Sequence, residues 1–197
     1  MSSTDRAREE ARAQLQSIVS MVAALNCDYY RLAELRRAAE VLPPGYVLCA
    51  ARCGFILQNA AQGESSDCFY TQGEATRAAW AKEYPDDAEE LSDLEEAAAG
   101  CADEEEACER IREDALDVQV RDGWHAPGVT NDAEEFFILL CTGGPAVRIM
   151  GEFDEHGEPS RARLEYQDWG TPWALYHTQG TEHDALLTYC RQFYFGQ

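Results

Sequence analysis

Eight cysteines and four histidines are the residues best able to carry chemistry in this 197-residue chain. The cysteines are Cys27, Cys49, Cys53, Cys68, Cys101, Cys108, Cys141 and Cys190. Cys141 stands just before a Gly143-Gly144 turn, with His125, His156, His177 and His183 as the bases it could recruit. A thiol nucleophile needs its base within hydrogen-bond reach, and no spacing in the chain brings the two together. The nearest cysteine pair, Cys49 and Cys53, has no CxxC spacing and no histidine beside it, so it does not resemble a zinc site. No GxSxG, HExxH or P-loop pattern occurs. These residues predict no catalytic site, no metal and no cofactor, with the cysteines as reduced, small core side chains.

Carboxylates offer a different chemistry. Residues 82–117 hold 16 acids against Lys82, Arg110 and Arg112, which is more than half of the chain's net charge of −21. At 100° per residue, Asp86, Glu89, Glu90, Asp93 and Glu96 fall on one arc of a helix, with Leu91, Leu94 and Ala98 opposite. Glu105, Glu106, Glu109 and Glu113 share a face of a second helix, with Ala107, Cys108, Ile111 and Ala115 on another. Such rows can stand where phosphates would sit in a basic groove; a solvated face is the plainer alternative. Calcium is disfavoured because no DxDxDG loop occurs. A third candidate is Gln167–Trp173, where Trp169 and Trp173 flank a Gly-Thr-Pro turn. Trp is favoured at contact hot spots, although two rings could equally cap the sheet's core.

These residues need elements to hold them. Thr4–Leu25 has helical periodicity, with Leu15, Ile18, Val19, Val22 and Leu25 on one side. Asp28 is a fitting N-cap for Asp28–Leu42, which Pro43-Pro44-Gly45 ends. Together they predict a helical hairpin packed on the fold, or alternatively a coiled-coil homodimer. Tyr46–Leu57 is apolar and β-tolerant, Gln62–Asp67 reads as a loop, and residues 46–81 have no further assignment. Pro85 opens the first acidic helix and Gly100 closes it; Asp103 and Glu106 resemble a capping box for the second. From Val118 the period changes to two: Val118–Arg121, Phe136–Cys141, Val147–Phe153 and Arg161–Tyr166 read as strands separated by Gly/Pro turns. Asp184–Phe195 closes the chain as a helix. The predicted fold class is α+β, with a helical, acid-rich region at 1–117 and a self-sufficient β-meander domain at 118–197.

Apolar residues make up 45% of the chain, which suits a globular protein. No apolar run of membrane-spanning length and no secretory h-region occur, which predicts a cytoplasmic protein. No basic footprint for direct nucleic-acid or anionic-membrane binding exists.

The stretches Val118–Trp124 (VQVRDGW), Leu140–Arg148 (LCTGGPAVR) and Glu165–Trp173 (EYQDWGTPW), with the ending Leu186–Gly196, resemble an uncharacterised family of small acidic bacteriophage and prophage proteins. The resemblance covers roughly the C-terminal 80 residues and carries no assigned activity. It implies a phage or mobile-element setting. Charge and resemblance together predict an inhibitor, not an enzyme, that binds a host nucleic-acid-handling defence machine such as a CRISPR effector or restriction enzyme. The partner would be a basic protein or complex, met through the two acidic rows and the Trp169–Trp173 loop. The alternatives are an accessory or assembly protein that oligomerises through its N-terminal helices, and a small cysteine-dependent enzyme.

Overall fold

The fold is known from a computed structural model that describes residues 3–52, 54–59, 65–124, 126 and 132–196. The chain forms two compact units, Met1–Asn26 with Cys101–Gln197, and Cys27–Gly100. The predicted α+β class holds: helices come first, and a five-stranded antiparallel sheet follows in the C-terminal part.

The sheet unit contains α1 (Ser3–Leu25), α5 (Glu104–Asp114), β4 (Asp117–Arg121), β5 (Glu135–Cys141), β6 (Ala146–Phe153), β7 (Pro159–Gln167), β8 (Ala174–Tyr176) and α6 (Thr181–Cys190). The strands run β4-β5-β6-β7-β8, each antiparallel to the next. Alternation sends Phe136, Ile138, Leu140, Val147, Ile149, Ala162 and Leu164 to the buried face. That face is covered by Ala11, Leu15, Ile18, Met21 and Val22 of α1, Ile111 of α5, and Ala185, Leu186, Tyr189 and Cys190 of α6. The predicted strands are all present. β8 was not predicted, and α6 begins and ends earlier than Asp184–Phe195.

The second unit holds α2 (Tyr29–Ala39), β1 (Tyr46–Ala51), β2 (Gly54–Asn59), β3 (Ser65–Phe69), α3 (Gln72–Glu83) and α4 (Pro85–Ala98). Asp28 caps α2, accepting from the Arg31 amide at 2.9 Å. Thr71 and Glu74 close a capping box on α3. A small core of Leu32, Leu35, Ala39, Trp80, Leu91 and Ala98 joins α2, α3 and α4.

Three expectations need correction here. The predicted helical hairpin is not the packing unit: α1 serves the sheet core and α2 packs with α3 and α4. For the same reason the units do not follow a linear division at 117/118, since α1 and α5 lie on the sheet. The predicted loop at Gln62–Asp67 is strand from Ser65 onward, and 62–64 lie outside the described residues.

The eight-thiol expectation also fails, because Cys68 is disulfide-bonded. β3 pairs antiparallel with β2, with Cys68 opposite Ile56, so the surroundings of Cys68 are set by strand pairing that cysteine spacing does not show. Cys27, Cys49, Cys101, Cys108, Cys141 and Cys190 are free. Thiol titration of the unfolded chain without reductant should find these six, and reduction should release two more. Eight before reduction would contradict the bond.

Gly151 shows how tightly the sheet core is filled. It pairs with Phe136, and a Cβ at this position would collide with the Phe136 ring and the Arg161 carbonyl. Phe136 is itself held in a cluster with Phe153 and Phe195 at centroid distances of 5.0–5.1 Å. It therefore has little room to withdraw. Gly151→Val should cost about 3 kcal/mol or more, the upper end of overpacking effects, read as a lower urea midpoint.

Tyr189 and Cys190 of α6 make the unit sensitive to alkali. Burial, then the hydrogen bond to Asp114 (2.7 Å), raises the Tyr189 phenol well above its ordinary 10.0. Burial likewise raises the Cys190 thiol above 9.0. Above these ordinary values the unfolded chain loses both protons while the native state keeps them, so stability falls as pH rises. The loss should begin near pH 9 and steepen by about 1.4 kcal/mol per pH unit for each group. Urea midpoints between pH 8 and 11 would show it, and Tyr189→Phe should flatten the limb above pH 10.

Candidate functional site: acidic helix faces and the tryptophan loop

Pro85 starts α4, and Ala99 ends it in the left-handed conformation at φ 49°. Leu91 and Ala98 point into the unit's core. This orientation leaves Asp86, Glu89, Glu90, Asp93 and Glu96 exposed, as the helical spacing predicts. The helix is less free than its sequence suggests, however. Glu90 and Asp87 share Arg31 at 2.7 and 3.0 Å, and Glu95 binds Arg36 and Arg77. Hydrogen bonding from Arg31 holds the Glu90 carboxyl below its usual range, and Arg77 does the same for Glu95. Glu90 therefore anchors α4 to α2. Asp86, Glu89, Asp93 and Glu96 have no Arg or Lys partner among the described residues and form a row at i, i+3, i+7 and i+10.

On α5 the buried side is Ala107 and Ile111, so Glu105, Glu106, Glu109 and Glu113 face solvent. Asp103 caps the helix at the Glu106 amide (2.9 Å), and Glu106 accepts from the Ala102 amide at 2.7 Å. The capping motif is thus present with its return bond shifted by one residue. Glu106 belongs to the cap, while Glu105, Glu109 and Glu113 make no ion pair among the described residues. The α4 and α5 rows lie on different units.

The tryptophan loop departs from the core-capping alternative. Trp169 is 79% exposed, its ring lying across the backbone of Gly144, where any Cβ would strike it. Trp173 is half-buried, with the Arg148 guanidinium 4.0 Å from its ring centroid. Arg148 is held by Glu165 at 2.7 Å, and Glu165 also binds Arg163 at 2.9 Å. Burial raises the Glu165 carboxyl, but Arg163 and Arg148 more than offset this and leave it below the usual range. The loop therefore presents one free indole and one stacked on a braced cation, an arrangement suited to contact.

Cysteine chemistry gains nothing from the geometry. Burial, then Glu10, raises the Cys141 thiol, which holds it protonated. None of the described histidines hydrogen-bonds a cysteine, and His125 lies outside the described residues. An acid-lined cleft of about 830 Å³, not foreseen in the sequence, lies beside the β6–β7 turn. Asp122, Asp132, Glu134, Asp154, Glu155 and His156 line it. Asp154 is used within the turn, accepting from the His156 and Glu158 amides at 2.9 and 3.0 Å. Among the described residues no group of three His, Cys, Asp or Glu side chains could hold a metal, and no helix is long and apolar enough to cross a membrane.

Fold and surface together define a class, an α+β chain bearing carboxylate rows on two helices and an exposed tryptophan loop. Compared with known proteins, it matches no family model, no curated protein and no solved structure.

Proposed function

We propose that the protein is an inhibitor that occupies the basic nucleic-acid channel of a host defence machine, a CRISPR effector or a restriction enzyme. The supporting observation is the row Asp86, Glu89, Asp93 and Glu96, without ion-pair partners among the described residues, on a helix pinned at the row's flank by Glu90–Arg31. At 1.5 Å per residue the row is about 15 Å long, with a carboxylate about every 5 Å. A DNA strand carries one charge about every 3.4 Å, so the row is sparser than a phosphate backbone but of the same order. The helix is pre-organised, so binding requires little ordering of the acidic side chains' backbone. Trp169 supplies a separate aromatic contact on the sheet unit. The mobile-element setting rests on the resemblance of the C-terminal residues, and a cytoplasmic location follows from that setting.

The test compares capture of basic proteins from bacterial lysate at low and high salt, using the native chain and a variant carrying Asp86→Asn, Glu89→Gln, Asp93→Asn and Glu96→Gln. A nucleic-acid-handling complex retained only by the native chain, and released by salt, is the expected result. Equal capture by both proteins would rule out the row as the contact.

A further inference from the structure

Besides the acid-lined cleft, the sheet unit has a cleft of about 700 Å³ at the edge strand β8, within the size range of small-molecule sites. Leu164 pairs with Tyr176, so Tyr176 points to the same side of the sheet as the buried Leu164, and so does Tyr166 two residues further along β7. The two half-buried tyrosine rings meet edge to face at 6.4 Å between centroids and form one wall of the cleft. Leu175 and His177, both exposed, flank Tyr176 on that wall. α1 contributes Arg8, whose neighbours Ala7 and Ala11 are buried, and the first turn of α6 contributes Glu182.

The charges in this cleft identify the ligand. Arg8 and Glu182 share it without pairing, and the Arg8 guanidinium, the His177 ring and both tyrosine hydroxyls have no hydrogen-bond partner among the described residues. Glu182 accepts from the Gln179 amide at 3.0 Å through one oxygen and keeps the other free. A phosphate would be repelled by Glu182, and an amine alone by Arg8. The start of α6 does not offset this in favour of an anion, because the Glu182 and His183 amides already donate to the Gln179 and Gly180 carbonyls at 3.0 and 3.1 Å. A small molecule bearing both a carboxylate and an ammonium satisfies both charges, and Tyr166, Tyr176 and Leu175 offer it an apolar surface. We propose that the cleft binds a free α-amino acid with an apolar or aromatic side chain. Arg8 holds the carboxylate, Glu182 accepts from the ammonium, and the side chain lies against the tyrosine wall. Charge-assisted hydrogen bonds of this kind are the strong ones.

The proposal is independent of the acidic-row reading, since the cleft and the α4 row lie on different units. Its test is a nuclear magnetic resonance titration of the isotope-labelled full chain with L-phenylalanine and L-leucine. Two further probes each keep the phenyl ring and one charge: hydrocinnamate lacks the ammonium and phenethylamine lacks the carboxylate. The amino acids should give saturable shifts at the Leu175, His177 and Glu182 amides. Each analogue should bind at least about tenfold more weakly than phenylalanine, having lost one charge-assisted contact. Arg8→Gln, at an exposed position, should keep the native circular dichroism, weaken phenylalanine by about tenfold and not weaken phenethylamine. Glu182→Gln should weaken phenylalanine and not hydrocinnamate. Absence of saturable shifts with both amino acids overturns the proposal. So does an analogue that binds as well as phenylalanine, or an Arg8→Gln variant with native affinity for it.

Discussion

Deleting residues 1–26 should abolish cooperative folding of the sheet unit, although every strand of that sheet lies beyond residue 116. Leu15, Ile18, Met21 and Val22 of α1 are buried against β5, β6, β7 and α6. Each such side chain contributes about 1.5–3 kcal/mol when removed from water, so the four together are worth about 6–12 kcal/mol. That range equals most of the 5–15 kcal/mol by which a domain is stable. Deletion also exposes the apolar face of β5 and β6. A fragment of residues 114–197 should therefore aggregate or bind hydrophobic dyes and melt without a transition, as should the chain from 27 onward. A sharp melt of either would show that α1 is an accessory to the core. Adding the deleted peptide in trans should restore some of the near-ultraviolet signal of Tyr189, which packs in the same cluster.

Neutralising the α4 row should leave the fold intact and remove most of the encounter rate with a basic partner. Asp86, Glu89, Asp93 and Glu96 are exposed and unpaired among the described residues, so their amides cost little packing. Like charges at these spacings repel by a few tenths of a kcal/mol per pair, and the melting temperature should hold or rise. Asp86 works slightly against this, because a carboxylate in the first turn favours the helix. Loss of four charges should slow association by about tenfold or more at low salt, with a smaller effect at high salt. Glu90→Gln tests a different role. Its carboxylate holds Arg31, so that variant should loosen α4 and lower stability before it affects encounter. Changing Glu105, Glu109 and Glu113 on α5 separates the contribution of the other unit.

The sequence shows most of the elements and few of the long-range relations between them. Periodicity reveals α1, α2, α4 and α5, and the last three also carry a start signal in Asp28, Pro85 and Asp103. α3 has no visible stripe in the sequence, because its buried positions include Ala75, Thr76 and Ala79. The Thr71-x-x-Glu74 capping box was a readable signal for it. β8 is too short to show alternation. Covering the sheet with α1 depends on contacts across more than a hundred residues, and helical periodicity does not name the surface a helix will meet. The site follows the same division. Helical spacing correctly placed five α4 carboxylates outward, but the ties from Arg31, Arg36 and Arg77 are tertiary and reduce the free charge. Trp169 and Trp173 flank one short turn and differ in exposure because Arg148 and Gly144, both from the β5–β6 region, meet different rings.

The central proposal is competition for a basic channel, and displacement of labelled duplex DNA tests it most directly. DNA bound to a CRISPR effector or restriction enzyme would be titrated with the native chain, followed by fluorescence anisotropy at two salt concentrations. The native chain should release the DNA, less effectively at high salt, and the variant neutralised at Asp86, Glu89, Asp93 and Glu96 should require at least about tenfold more protein. Equal displacement by the native and neutralised chains would contradict the account, as would no displacement across a panel of such enzymes. The carboxylate row would then be a solvated surface.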